Sequence, residues 1–229
     1  DHAITGLLIR DLAAALKASG KGVKALPYYK EFYLLKRDKI EPSLDDKKVM
    51  LTALNNLATC YKALGRLDDA VPLFRQTLEG RIALLGPADQ EVGLSYNNLA
   101  MALYQLPSPP PPTLSPTTIF NPPTPASLHP WEEAVNLLVT ANETLTGSVG
   151  DDHSDTRNCR GNLAIVRARI AARLDSPQGI NVEQLRASKE EIALQKAFFV
   201  ERLGPNHAWT AKFQSELDFV TSLLSITGQ

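Results

Sequence analysis

The sequence predicts an all-α fold made of repeated helix pairs. Apolar residues recur three and four positions apart, as in the stripes that begin at Leu54 and at Val71, and this spacing places them on one face of a helix. Sustained alternation of apolar and polar residues, which would indicate strands, does not occur. A short motif also returns at a nearly constant interval, which is typical of a repeat protein.

The repeated motif is Asn-Leu-Ala. It occurs at Asn56, again 42 residues later at Asn98, and again 64 residues after that at Asn162, where an insertion accounts for the longer interval. Related sequences at Asp11 and Glu216 extend the register towards both ends of the chain. We expect a single domain of about four and a half repeats, at residues 1–43, 44–86, 87–149, 150–203 and 204–229.

Each repeat is predicted to contain a helix A, a turn, a helix B and a connector. Gly20 and Gly65 supply the turns, and connectors such as GPADQ at 86–90 begin with glycine, which suits the residue after a helix end. Small residues in fixed positions let helices A and B approach closely. These residues are Ala58, Ala100 and Ala164 in helix A and Ala70 and Ala134 in helix B.

Two insertions interrupt this pattern. Residues 107–130 hold 10 of the 16 prolines of the chain, and we expect them to be extended, polyproline-like or disordered because proline removes a backbone donor. A second insertion is predicted at 175–186. We interpret the first as a surface insertion rather than a recognition element, since a longer loop adds little to the cost of folding.

Composition and charge exclude several function classes. The 24 basic and 25 acidic residues give a net charge of -1, so no basic excess for nucleic acid is present. Membrane insertion is not expected, since no apolar run approaches the roughly 20 residues of a spanning helix.

Candidate catalytic and metal-binding residues are isolated from one another. His2, His153 and His207 share one position of the repeat and should stand at the entrances of separate helices. Cys60 and Cys159 lie in different helices, and no phosphate-binding loop is present. We therefore expect neither an enzyme nor a bound cofactor or metal.

The segment LNNLATCYKALGRLDDAVPLFRQTL at 54–78 resembles a tetratricopeptide repeat, and the 42-residue period with its N-N-L-A motif resembles the kinesin-light-chain type. The resemblance implies a right-handed α-solenoid. The fourth repeat departs from the pattern, because Ser188 replaces the alanine of Ala70 and Ala134, and Arg160 and Gly161 replace residues before the motif.

The resemblance also implies a binding groove. In this family the asparagine before Leu-Ala faces the concave wall and binds the backbone of an extended peptide, and Lys62 or Arg169 could anchor an acidic ligand. The alternative is that these asparagines only solvate a helix face or pack between repeats. The predicted groove residues are Asn55, Asn56, Lys62, Asn97, Asn98, Met101, Tyr104, Asn162 and Arg169.

We interpret the chain as a non-enzymatic scaffold or adaptor that binds a protein or peptide partner within a larger complex. A cytoplasmic, cytoskeletal or ciliary location is expected. The alternatives are a fixed structural subunit of a cytoskeletal or ciliary assembly, and a regulatory repeat domain cut from a larger enzyme. In the structural-subunit case contacts would use the outer face of helix B, where Arg75, Glu79 and Arg81 are predicted to be exposed.

Overall fold

The computed structural model describes residues 2–19, 21–37, 42–107, 130–173 and 179–227. These ranges contain nine α-helices and no strand, which confirms the all-α prediction. None of these helices is long and apolar enough to cross a membrane. The helices are α1 His2–Ala18, α2 Gly22–Arg37, α3 Leu44–Ala63, α4 Leu67–Leu85, α5 Gln90–Tyr104, α6 Pro130–Val149, α7 Ser154–Ala171, α8 Val182–Leu203 and α9 Ala208–Ile226.

The chain divides into two compact units, Asp1–Gln105 with helices α1 to α5 and Leu106–Gln229 with helices α6 to α9. Within each unit every helix packs mainly against its neighbours in the chain. The additional contacts join helices of the same type in successive repeats, α3 with α5 and α7 with α9. This order is that of a solenoid of helix pairs rather than a closed bundle.

The first unit begins its second helix pair with a strong helix start. The Oγ atom of Ser43 accepts a hydrogen bond from the Asp46 backbone N–H at 3.1 Å, while the Asp46 carboxylate accepts from the Ser43 backbone N–H at 3.2 Å. This reciprocal capping box starts α3 at Leu44. The turn that follows α3 is at Gly65, as predicted, with φ of 71°. The predicted turn at Gly20 lies outside the described residues.

The core of the first unit crosses three helices. Ala13 of α1, Ala25 and Tyr29 of α2, and Leu57 and Cys60 of α3 form one buried cluster. Burial raises the pKa of the Tyr29 hydroxyl, so this side chain stays neutral in the core. The alanines predicted to sit between helices are buried in both units, with exposed fractions of 0 to 4%.

The described residues include only part of each insertion. Residues 108–129 of the proline-rich stretch lie outside the described residues, and Pro130 is the first residue of α6, a position where proline loses no hydrogen bond. Residues 174–178 of the second insertion also lie outside them. Residues 182–186, which the sequence assigns to that insertion, belong instead to α8. Asn181 explains this early start, because its Oδ1 accepts from the Gln184 backbone N–H at 2.9 Å and caps the helix.

The repeated histidine position is a helix cap. His153 Nδ1 accepts from the Asp155 backbone N–H at 3.2 Å, and His207 Nδ1 accepts from the Trp209 backbone N–H at 3.3 Å. Asp89 makes the same bond at the start of α5, with its Oδ1 at 2.7 Å from the amide nitrogen two residues on. These side chains therefore satisfy helix N–H groups that would otherwise lack a partner.

Arg81 is not on an exposed face, so that prediction is wrong. Arg75 and Glu79 are exposed, but Arg81 is only 5% exposed because it continues the buried stripe of α4 towards α5. Its Nη1 donates to the Ser95 hydroxyl at 2.9 Å and to the Glu91 carbonyl at 3.2 Å, and its Nη2 lies 3.1 Å from the Glu91 carboxylate. Burial lowers the pKa of Arg81, and the carboxylate opposes that change.

Candidate peptide-binding surface

Two predicted groove asparagines are joined across successive repeats of the first unit. The Asn98 Nδ2 on α5 donates to the Asn55 Oδ1 on α3 at 3.1 Å. Both side chains are half-buried. One N–H and the carbonyl oxygen of Asn98 are not used in this bond, so the amide still offers a donor and an acceptor.

Asn56 lines a cavity of about 150 Å³ between α1, α2 and α3. Tyr29 and Phe32, each 1% exposed, form its apolar floor. Two basic side chains, Arg10 and Lys48, stand at its polar edge. The remaining lining residues are Val49, Thr52 and Ala53.

Charge at this cavity comes from residues that sequence reasoning did not select. Arg10 donates to the adjacent Asp11 carboxylate, with Nε at 2.9 Å and Nη2 at 2.8 Å. Lys48 is exposed and has no ion-pair partner in the described ranges. The signal for Arg10 was its place just before the Asp11 of the repeat register. Lys48 is at the position where helix A of the next repeat begins, at Gln90. Because α3 begins four residues earlier, at Leu44, Lys48 lies within the helix rather than at its start.

Three more predicted groove residues of the first unit are half-buried. Lys62 places its Nζ 5.7 Å from the centre of the Phe74 ring, a cation–π contact between helices α3 and α4. Met101 and Tyr104 lie near the end of α5. None of these three lines the Asn56 cavity.

Two of the predicted asparagines are buried rather than presented to solvent. Asn97 is 7% exposed and Asn162 is 1% exposed. The Asn162 Oδ1 accepts a hydrogen bond from the Lys212 ammonium, so it joins α7 to α9. Neither amide is therefore open to a ligand.

Arg169 is also engaged within the second unit. Its Nη2 donates to the Glu216 carboxylate at 2.8 Å and its Nε donates to the same oxygen at 3.2 Å. Its guanidinium lies 3.6 Å from the centre of the Phe219 ring. An acidic ligand would have to displace Glu216 to reach Arg169.

The described ranges contain no group of three or more metal-ligating side chains. Both cysteines are buried thiols. Desolvation raises the pKa of Cys159 to about 12, so its thiol stays protonated at neutral pH and is a poor nucleophile.

Comparison with known proteins agrees with the helix-pair geometry. Residues 49–106 match the tetratricopeptide repeat family, and this segment runs from within α3 through α4 and α5. These residues form tetratricopeptide repeats. The match contains Asn55 and Asn98 and the bond between them, and such repeats form protein-interaction surfaces. No curated protein matches the sequence.

Solved structures share the tetratricopeptide fold at low sequence identity. One is a single-residue variant of a candidate kinesin light chain of Podosopora anserina with nearly identical TPR-like repeats, with a TM-score of 0.60 and 17% identity over 97% of this chain and 88% of that one. Another is BtubC (BKLC) from P. vanneervenii, with a TM-score of 0.51 and 16% identity over 96% and 80% of the two chains. At this level of identity the structural likeness establishes the fold alone.

Proposed function

We propose that this tetratricopeptide repeat protein is a non-enzymatic scaffold that binds an extended peptide on the first unit, with an acidic side chain in the Asn56 cavity. The cavity is the observation that carries the proposal. It combines an aromatic floor, an amide and two basic side chains in a volume that suits one side chain.

The chemistry of the cavity favours an acidic residue with an apolar stem. Tyr29 and Phe32 would pack against the stem, and the Lys48 ammonium would meet the carboxylate. Asp11 neutralises part of the Arg10 charge. Because solvent screens exposed charges, each ion pair would contribute about 0–1 kcal/mol. Affinity would then depend mainly on backbone bonds to amides such as Asn98 and on the apolar floor.

An array of short peptides, each acidic peptide paired with its amide-substituted counterpart, tests this proposal on the full chain. We expect acidic peptides to bind, and Asn56→Ala or Lys48→Glu to weaken binding by roughly tenfold or more, which is about 1.4 kcal/mol. Arg75→Ala is the matched control, since Arg75 is exposed on α4 and does not line the cavity.

The same variants separate an adaptor from a fixed structural subunit. Binding that ignores Asn56 and Lys48 but responds to Arg75→Ala and Glu79→Ala would overturn the groove proposal and favour a structural role of the outer face. Membership in a larger cytoskeletal or ciliary assembly stays a prediction, and co-purification from native extract tests it.

A further inference from the structure

The second unit has a cavity lined largely by polar side chains. The cavity measures about 360 Å³ and lies between α7 and α8. Its polar side chains are Arg160, Arg167, Gln184, Ser188 and Glu191.

The same positions are mainly apolar in the second repeat. There Tyr61 and Leu73 pack against the core cluster around Tyr29, and the Arg66 guanidinium covers the Tyr61 ring at 4.7 Å. In chain order the second repeat has Leu54, Tyr61, Arg66, Ala70 and Leu73 where the fourth has Arg160, Arg167, Gln184, Ser188 and Glu191. The third repeat has Tyr96, Leu103, Ala134 and Leu137 at four of these positions.

Four apolar positions have therefore become polar at one helix–helix interface. Ser188 is buried there and Arg160 and Glu191 are half-buried, so these polar groups cost free energy unless they find partners. A change confined to one side chain would be a local defect, but a concerted change on both α7 and α8 indicates that the space between them receives a polar group.

The polar groups differ in how far they are already satisfied. Arg160 donates to Asn142 and Asp151 and is held in place by them. Ser188 is 2% exposed, and its Oγ accepts from the Gln184 Nε2 at 3.4 Å while its own hydroxyl proton has no acceptor in the described ranges.

Two opposite charges face the same cavity without pairing. Arg167 on α7 is exposed and makes no ion pair in the described ranges. Glu191 on α8 accepts one hydrogen bond, from the Gln195 Nε2 at 2.5 Å, and forms no ion pair within the same ranges. A purely anionic ligand would be repelled by Glu191, and a purely cationic ligand by Arg160 and Arg167.

We propose that this cavity binds a compact zwitterion of the α-amino-acid class. The ligand carboxylate accepts from the Arg167 guanidinium and the Ser188 hydroxyl, and the ligand ammonium donates to the Glu191 carboxylate and the Gln184 carbonyl oxygen. The cavity volume lies within the usual range of small-molecule sites, about 300–1,000 Å³. This function is independent of peptide binding on the first unit.

Calorimetry or ligand-observed NMR with the full chain and each of the common L-amino acids tests the proposal. We expect at least one of them to bind with a Kd below about 1 mM. Arg167→Gln and Glu191→Gln should each weaken binding by roughly tenfold or more, as expected when one charge-assisted contact is lost. Arg75→Gln, which changes an exposed arginine of the first unit, should leave it unchanged.

A second variant separates loss of the site from loss of the fold. Ser188→Ala combined with Glu191→Leu restores the residues of the second repeat, so it should abolish binding while the thermal midpoint is kept or raised. Absence of binding by every amino acid at about 10 mM would overturn the proposal. Tighter binding by Glu191→Gln, with acetate as effective as an amino acid, would also overturn it by identifying a simple anion site.

Discussion

Two joints between successive repeats use the same positions but opposite chemistry. The polar joint, where α4 meets α5, consists of Arg81, Glu91 and Ser95. The aromatic joint, where α8 meets α9, consists of Phe199, Trp209 and Phe213, each 118 residues further along the chain.

The centre of each joint is buried, at Arg81 and Ser95 in one and at Phe199 and Phe213 in the other, but the two joints gain stability differently. The Arg81 side chain is 6% exposed, and its Nε has no hydrogen-bond partner in the described ranges, so desolvation offsets much of what its other bonds contribute. Phe199 stacks on Phe213 with ring centres 5.6 Å apart and meets Trp209 at 4.9 Å. The repeat register thus fixes where helices meet, while the side chains that fill the joint are free to change.

The aromatic joint also alters the neighbouring asparagine bond. Phe213 requires the space above Gly161, because a Cβ atom there would overlap the ring. The second repeat has Asn55 at the position of Gly161, and Asn55 accepts from Asn98. In the second unit Gly161 has no side chain to act as the acceptor. Glu216, at the position of Asn98, accepts from Arg169 instead.

The largest expected effect is the loss of the central ring of the aromatic joint. Phe213→Ala should destabilise the second unit by about 3–5 kcal/mol, because it leaves a cavity in a fully buried site. Ser95→Ala at the same position of the polar joint should cost only about 1–2 kcal/mol, the value of its hydrogen bonds. Urea unfolding measures both, with fluorescence of Trp131 and Trp209 reporting the second unit. Equal losses would contradict the contrast between the joints.

Removal of Arg81 from the polar joint should have a smaller effect on the free energy of unfolding. Arg81→Ala should destabilise the first unit by about 1–3 kcal/mol, because Ser95 and the Glu91 carbonyl lose a donor. Arg81→Met should cost less, since an apolar side chain fills the space without a buried charge. Far-ultraviolet circular dichroism in urea follows the helices of both units, and tryptophan fluorescence follows the second unit alone, so a loss seen only by circular dichroism belongs to the first unit. An equal loss for methionine and alanine would show that the charge and its hydrogen bonds, rather than the space that the side chain fills, stabilise the joint.

Substitution of Gly161 tests whether the ring of Phe213 in the aromatic joint excludes a side chain from the position that Asn55 holds in the second repeat. Gly161→Ala should destabilise the second unit by about 1–3 kcal/mol through overpacking against Phe213. In a Phe213→Ser background the same change should be neutral or stabilising by up to about 1 kcal/mol, since alanine favours a helix. Tryptophan fluorescence in urea gives the four free energies of this double-mutant cycle. Additive effects would exclude the coupling.

The sequence predicts the helix pairs better than the environment of individual side chains. Spacing and the Gly65 turn place α3 and α4 correctly, since backbone geometry depends on local residues. The burial of Arg81 and Asn162 depends on partners 10 to 50 residues away, which no local pattern reveals. The cavity next to Asn56 depends likewise on Tyr29 and other side chains of two preceding helices.

Cys159 occupies in the fourth repeat the position that Ser95 holds in the third repeat and Phe213 in the last. Its thiol donates to the Leu138 carbonyl at 3.5 Å, and burial raises its pKa to about 12, above the ordinary value of 9.0. The folded state therefore keeps the proton longer, so stability is full below about pH 9 and falls by up to about 1.4 kcal/mol per pH unit towards pH 12.

Urea midpoints followed by tryptophan fluorescence at about pH 8 and about pH 10 check this dependence. Cys159→Ala should flatten the decline above about pH 9, whereas Cys60→Ala, in the first unit, should not change it. An unchanged pH slope in Cys159→Ala would mean that another group controls alkaline stability.

Substitution of Asp152, at the rim of the aromatic joint, should have the smallest effect on stability. Its carboxylate lies 2.5 Å from Arg157 Nη2, and Arg157 covers Phe198, which meets Phe199 edge-on at 5.2 Å. The hydrogen bond from Arg157 lowers the pKa of Asp152 below its ordinary value of 3.8. An acid with a lowered folded pKa stabilises the fold above its ordinary pKa and loses that contribution as pH falls through the lowered value.

Asp152→Asn should therefore be slightly less stable than the parent at neutral pH. The difference should shrink as the pH falls below 3.8 and vanish once the pH is below the lowered pKa of the folded state, where both carboxyl and amide are neutral. Because Asp152 is exposed, added salt should reduce the difference as well. Acid unfolding followed by tryptophan fluorescence measures it, with Glu201→Gln, exposed on α8, as the matched control. A difference that persists at low pH would mean that Asp152 acts through packing, and the polar contacts at the rim would then contribute nothing electrostatic to the aromatic joint.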